Sequence, residues 1–95
     1  MLTIRFSSKF KKDFKKVKKQ SDSGYNENEF KKVLQDLQNG KPLDEKFLDH
    51  PLQGEYKGCR ECHLKPDLLL IYEIHDNILE LLLLRIGSHS DLFKK

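Results

Sequence analysis

The sequence predicts an α+β fold in which a β-α-α unit is followed by an antiparallel β meander, with two helices packed on one face of the sheet. Three observations carry this. Two stretches place apolar residues at helical spacing, a short alternating segment precedes them, and the second half divides into three apolar runs separated by turn residues. At 95 residues the chain is long enough for one compact domain and too short for two, so residues 1–95 read as one unit.

The leading strand is "LTIRF", whose alternation suits a pleated segment. Ser7 or Ser8 then offers an N-cap for a helix with Phe10, Phe14 and Val17 on one side and lysines on the other. "SDSGYN" breaks that helix. Asn26 with Glu29 forms a capping arrangement for a second one, in which Phe30, Val33, Leu34 and Leu37 follow the i, i+3, i+4, i+7 pattern to about Gly40. Gly40 and Pro42 supply stop signals. Residues 43–58 read as loop, with Pro51 and Gly54 as breakers. Strand-like runs follow at about 59–64, 68–74 and 78–86, joined by Lys65-Pro66 and Asp76-Asn77. The last two runs are apolar on both faces while the helices cover only one, so the other face is either sealed by the loop after Leu43 or left as an apolar patch.

Charge is unevenly spread. The net charge is +3, yet residues 1–19 hold eight Lys and Arg against the single Asp13, and the remainder is net acidic. A field of this kind attracts phosphate backbones or an acidic protein partner, and the bland alternative is a solvated helix face. No apolar run reaches the length of a signal peptide or a membrane span, so a cytoplasmic location is expected, with Cys59 and Cys62 as thiols.

Those cysteines belong to "CRECH", which spells the C-x-x-C-H of c-type haem attachment. The segment has strand character, in which residues three apart point to opposite faces, and the only Met is Met1. Haem is therefore not expected. Nor is zinc, because two Cys and scattered His lack a second close pair at finger spacing. The cysteines read as buried packing residues.

Three of the four histidines sit at junctions between elements: His50 before the sheet, His63 at a strand end, and His89 just after the last strand. If Leu64-Lys65-Pro66 is a hairpin turn, His63 and Asp67 face one another across its base. Arg85, with Gly87 to turn the chain, would bring a guanidinium and His89 to the same edge. RNA cleavage by its own 2′-hydroxyl needs a base, an acid for the 5′-oxygen and a cation on the phosphate, with no metal required; His fills either proton role and Arg suits phosphate oxygens. Phe93 offers a ring for base stacking.

The runs "DHPLQGEYKGCRECHLKPDLLLIY" and "LLRIGSHSDLF" resemble the YafQ branch of the RelE-type toxins, the mRNA-cleaving halves of bacterial toxin-antitoxin pairs. The resemblance implies a ribosome-dependent endoribonuclease without a cofactor, held inactive by a cognate antitoxin. It places active-site positions on His50, His63, Asp67, Arg85, His89 and Phe93. In that scheme His89 donates a proton to the leaving group, Arg85 contacts the phosphate, His63 and Asp67 form the base pair, and His50 orients or stabilises. Lys11, Lys12, Lys15 and Lys16 become docking contacts to ribosomal RNA phosphates, with mRNA as the substrate. Two other functions fit the same fold and charge: a toxin that inhibits DNA gyrase, and a non-catalytic RNA-binding domain.

Overall fold

A computed structural model describes residues 1–93 of the chain. Strand β1 (Thr3–Phe6) leads into helix α1 (Ser8–Lys19) and then helix α2 (Glu27–Gln38). Both caps read from the sequence are made: the Ser7 hydroxyl accepts from the Phe10 amide, and the Asn26 side chain accepts from the Glu29 amide. Each such cap is worth about 1 kcal/mol to its helix. The second half forms β3 (Arg60–Lys65), β4 (Leu68–His75) and β5 (Glu80–Gly87).

Two elements depart from the sequence expectation. The stretch read as loop contains a two-residue edge strand, β2 (His50–Pro51), paired antiparallel to Glu61 and Arg60 of β3. Pro51 marks it as an edge, since proline cannot donate to a ladder on both sides. The segment after β5 is a one-turn helix, α3 (His89–Leu92), capped by the Ser88 hydroxyl. A single turn carries too little periodicity to be seen in sequence.

The sheet order is β1-β5-β4-β3-β2, with β1 parallel to β5 and the other pairs antiparallel. Helices α1 and α2 lie on one face and enclose the main core: Phe10, Val17, Phe30, Val33 and Leu37 meet Cys62, Leu70, Tyr72, Leu81 and Leu83. Phe10, Phe14, Tyr25 and Phe30 pack together there, Phe10 stacked on Phe14 and Phe30 and Tyr25 edge-on to Phe14 and Phe30, with centroids 5.4 to 6.4 Å apart. Removing one such core side chain costs about 3 to 5 kcal/mol.

The opposite face carries a second apolar cluster of Cys59, Leu69, Ile71 and Leu92, with Leu52, Tyr56 and Leu84 packed against it. The loop after Leu43 and helix α3 therefore cover this face between them. Cys59 and Cys62 are free thiols, and each belongs to a different one of the two clusters, as the strand alternation requires. Among the described residues no helix is long and apolar enough to cross a membrane.

Candidate active site

The site lies on the face away from α1 and α2, and the sheet register builds it. Residues directly opposite on neighbouring strands point to the same side. Glu61 stands opposite Ile71, and Ile71 opposite Arg85; in the next row His63 stands opposite Leu69, and Leu69 opposite Gly87. Because Leu69 and Ile71 belong to the second cluster, Glu61, His63 and Arg85 share its face. Glu61 and Arg85 thus flank an apolar floor two strands apart, roughly 10 Å between Cα atoms.

Arg85 reaches that face through an irregularity. The pairing of β4 with β5 shifts between Ile71 and Tyr72, leaving Leu84 as an extra residue between Leu83 and Arg85. A bulge of this kind re-aims the side chain that follows it.

Two residues further along β5, Gly87 lets α3 fold back tightly, since a Cβ there would lie 3.3 Å from Leu92 Cδ2. This sets His89 beside the β3–β4 turn. Asp67 receives the His89 backbone N–H at 2.9 Å and ring Nδ1 at 2.7 Å. The two bonds hold the Asp67 carboxyl below its ordinary range, the backbone one contributing most. The His89 ring meets that of His63 edge-on with centroids 5.7 Å apart, and His63 lies 6.0 Å from His50.

The expected pairing of His63 with Asp67 is not made. The tight turn is Pro66-Asp67 itself, with a register shift between His63 and Lys65, so Asp67 lies beyond the ladder and His63 faces Leu69. The carboxylate beside His63 is Glu61, at 3.9 Å, and the same group meets His50 Nε2 at 3.1 Å. Glu61 has a side chain only 6% exposed, and a carboxylate so buried needs such partners. The His50 Nδ1–H donates to the Leu48 carbonyl at 2.6 Å. That carbonyl is aimed by the left-handed backbone of Leu48, φ 49°. Sequence reading missed Glu61, although "ECH" at strand spacing puts it on one face with His63.

The ligand atoms of His50, Glu61 and His63 lie within 4.8 Å of one another. Two imidazoles and a buried carboxylate suit a divalent transition ion, and the Nδ1–H of His50 anchored on a carbonyl leaves Nε2 for ligation. Sequence spacing gave no sign of this, because its members come from two strands. The three residues would hold such an ion, which would supply positive charge at the face while engaging both imidazole lone pairs.

Arg85 is gripped by Asp13 of α1, Nε at 2.6 Å and Nη2 at 3.1 Å, and its Nη1 reaches Tyr56 Oη at 3.5 Å. The Asp13 carboxylate keeps the guanidinium firmly protonated. Tyr56 in turn meets Phe93 edge-to-face at 5.8 Å. All six residues expected at the site therefore line this one face or its rim. Lys11, Lys12, Lys15 and Lys16 are exposed along α1, with Lys16 paired to Asp91 at 3.1 Å.

Residues 2–94 match the family described as the bacterial toxin of type II toxin-antitoxin systems, YafQ. The chain belongs to the YafQ toxin family. It is 37% identical over 91 residues to the mRNA interferase toxin YafQ of Escherichia coli K12, covering 95% of this chain and 94% of that one. A metal-bound toxin from Helicobacter pylori superposes with a TM-score of 0.88 at 49% identity, covering 98% of this chain and 100% of that one. The YafQ subunit of the E. coli DinJ-YafQ toxin-antitoxin complex does so at 0.81 and 36%, covering 97% of each chain. The α+β architecture is thus that of the family.

Proposed function

We propose that the chain is an endoribonuclease toxin that cuts mRNA on the ribosome and is neutralised by a cognate antitoxin. Family membership supports the class of activity, and one observation carries the chemistry: His89, held at Nδ1 by Asp67, faces His63 across 5.7 Å, on the sheet face that also bears Arg85.

The reaction follows from these groups. A base removes the 2′-hydroxyl proton as that oxygen attacks the adjacent phosphorus; the bond from phosphorus to the 5′-oxygen breaks, and an acid protonates the leaving oxygen. The products are a 2′,3′-cyclic phosphate and a free 5′-hydroxyl. His63, with Glu61 behind it, serves as base, and His50 supports the same carboxylate. With Nδ1 committed to Asp67, His89 presents Nε2 as the acid, and Asp67 stabilises the ring while it is charged. Arg85 neutralises the charge gathering on the phosphate, and Phe93 stacks on a neighbouring base. The cytoplasm, where ribosomes translate, is the site of action.

Primer-extension mapping of mRNA breaks in cells expressing the parent and His89→Gln at matched levels tests the reading. The parent should cut and arrest growth, and His89→Gln should do neither while still folding. Equal cutting by both would remove His89 from the chemistry, and no cutting by the parent would return the chain to gyrase inhibition or passive RNA binding.

A further inference from the structure

We propose that Asp13, the lone acidic residue in a run of lysines, is the positioning residue that holds the Arg85 guanidinium in a phosphate-ready orientation. The inference rests on the nuclease reading above.

The sheet edge explains why a side chain from α1 can do this. Strand β1 ends at Phe6, opposite Leu83, so on the side away from β4 the rest of β5 has no neighbouring strand. The start of α1 takes over the vacant edge: the Ser7 hydroxyl donates to the Leu84 carbonyl at 2.7 Å, and the Ile86 amide donates to Asp13 at 3.2 Å. Asp13 lies next to the apolar stripe of buried Phe10 and Val17 and half-buried Phe14, and only 16% of its side chain is exposed. Its carboxylate thus grips the backbone and the side chain of β5 at once.

The donor inventory shows what the grip leaves over. A guanidinium has five N–H groups; Asp13 takes the Nε–H and one N–H of Nη2. The edge formed by Nη1 and the second N–H of Nη2 remains, which is the bidentate fork that suits phosphate. Its Nη1 end points to the Tyr56 hydroxyl, beside Phe93. Asp13 therefore does not compete with the phosphate. It fixes the plane of the fork, and the bulge at Leu84 together with the Ile86 amide bond to Asp13 fixes the height of its stem.

Asp13→Asn keeps the shape but removes the negative charge and sets an NH2 where one carboxylate oxygen accepted a guanidinium N–H, so that two donors oppose one another. The expected result is a loss of about 10 to 100-fold in the single-turnover cleavage rate, the scale for a misplaced group, with unchanged KM for ribosomes and unchanged antitoxin binding. The signature of positioning is the Arg85 Nε–H resonance: sharp and slowly exchanging in the parent, broadened or lost in Asp13→Asn, with the remaining amide spectrum preserved. Asp13→Glu, which restores the charge, should recover part of the rate. If Asp13→Asn is too unstable to assay, the same readouts on Asp13→Glu decide, with an intermediate rate and a shifted Nε–H signal expected. A parent rate in Asp13→Asn or Asp13→Glu with an altered Nε–H signal overturns the proposal, as does a lost rate with an unaltered signal. If Arg85→Ala itself cuts normally, it is the role of Arg85 in the nuclease reading that fails.

Discussion

The backbone N–H and ring Nδ1 of His89 both donate to one oxygen of Asp67, 2.9 and 2.7 Å away, across the gap between α3 and the β3–β4 turn. The doubled bond fixes ring orientation and tautomer together. Asp67→Asn should keep the fold but allow the wrong tautomer, lowering cleavage, while loss of the proposed acid in His89→Gln should cost about 100 to 10,000-fold. Because the Asp67 carboxyl is depressed, the pairing is intact above the unfolded carboxyl's range and weakens as pH falls through the lower folded value. A carboxyl-carbon NMR titration should place the Asp67 midpoint below the ordinary 3.8. A midpoint at or above it would contradict the pairing.

Zinc or copper should load at about one ion per chain on His50, Glu61 and His63, and loading should slow cleavage because the ion engages the imidazole lone pairs that proton transfer needs. Chelation should restore the rate. Glu61→Gln, which removes the only anionic ligand of the three, should weaken loading by more than the roughly 10 to 100-fold that loss of a mere supporting partner costs. Isothermal titration beside a cleavage assay measures both effects; a metal-loaded protein that cuts at the metal-free rate would count against shared residues.

The two thiols should resist alkylation in the native state. Burial raises both, and Cys62, enclosed in the main core beside the charges of Asp49 and Glu61, is the more strongly displaced. Iodoacetamide labelling at neutral pH should proceed only as the protein is unfolded with denaturant, Cys62 last, and the intact mass should show no haem adduct. Rapid native labelling of Cys62 would mean that the core opens.

Changing Lys11, Lys12, Lys15 and Lys16 together to Glu should weaken ribosome binding and reduce its salt slope by about one for each phosphate no longer neutralised. Because Lys16 also pairs with Asp91, that variant should loosen α3 slightly, so the triple variant sparing Lys16 is the cleaner probe. Sedimentation with ribosomes over a salt series reads it; an unchanged slope would leave the helix as a solvated face.

Much of the fold is legible in the sequence because it is locally encoded. The caps at Ser7 and Asn26, the apolar stripes of α1 and α2, and the strands of the second half all follow from short-range periodicity. What escapes depends on register and on distant segments meeting. Strand β2 has two residues, α3 is a single turn, and the bulge at Leu84 sits within a run of leucines that look alike in sequence. The six expected site residues do converge, yet His63 takes a different carboxylate from the expected one because the turn falls one residue later in the chain. Asp13 and Glu61 are hard to read for a common reason: each is an acidic residue whose tightest partner, Arg85 for one and His50 for the other, comes from a different element of the fold.

In β3 the side chains of Glu61 and His63 face the site while those of Cys62 and Leu64 face the helices. A slip of the strand by one residue would exchange the two sets, driving a carboxylate and an imidazole into the aromatic core and exposing two apolar groups. Such a slip would remove the proposed base, His63, from the site face together with the core contacts of Cys62 and Leu64. The β3 register that closes the core is thus the register that sets Glu61 and His63 on the site face, so a change that disturbs one disturbs the other.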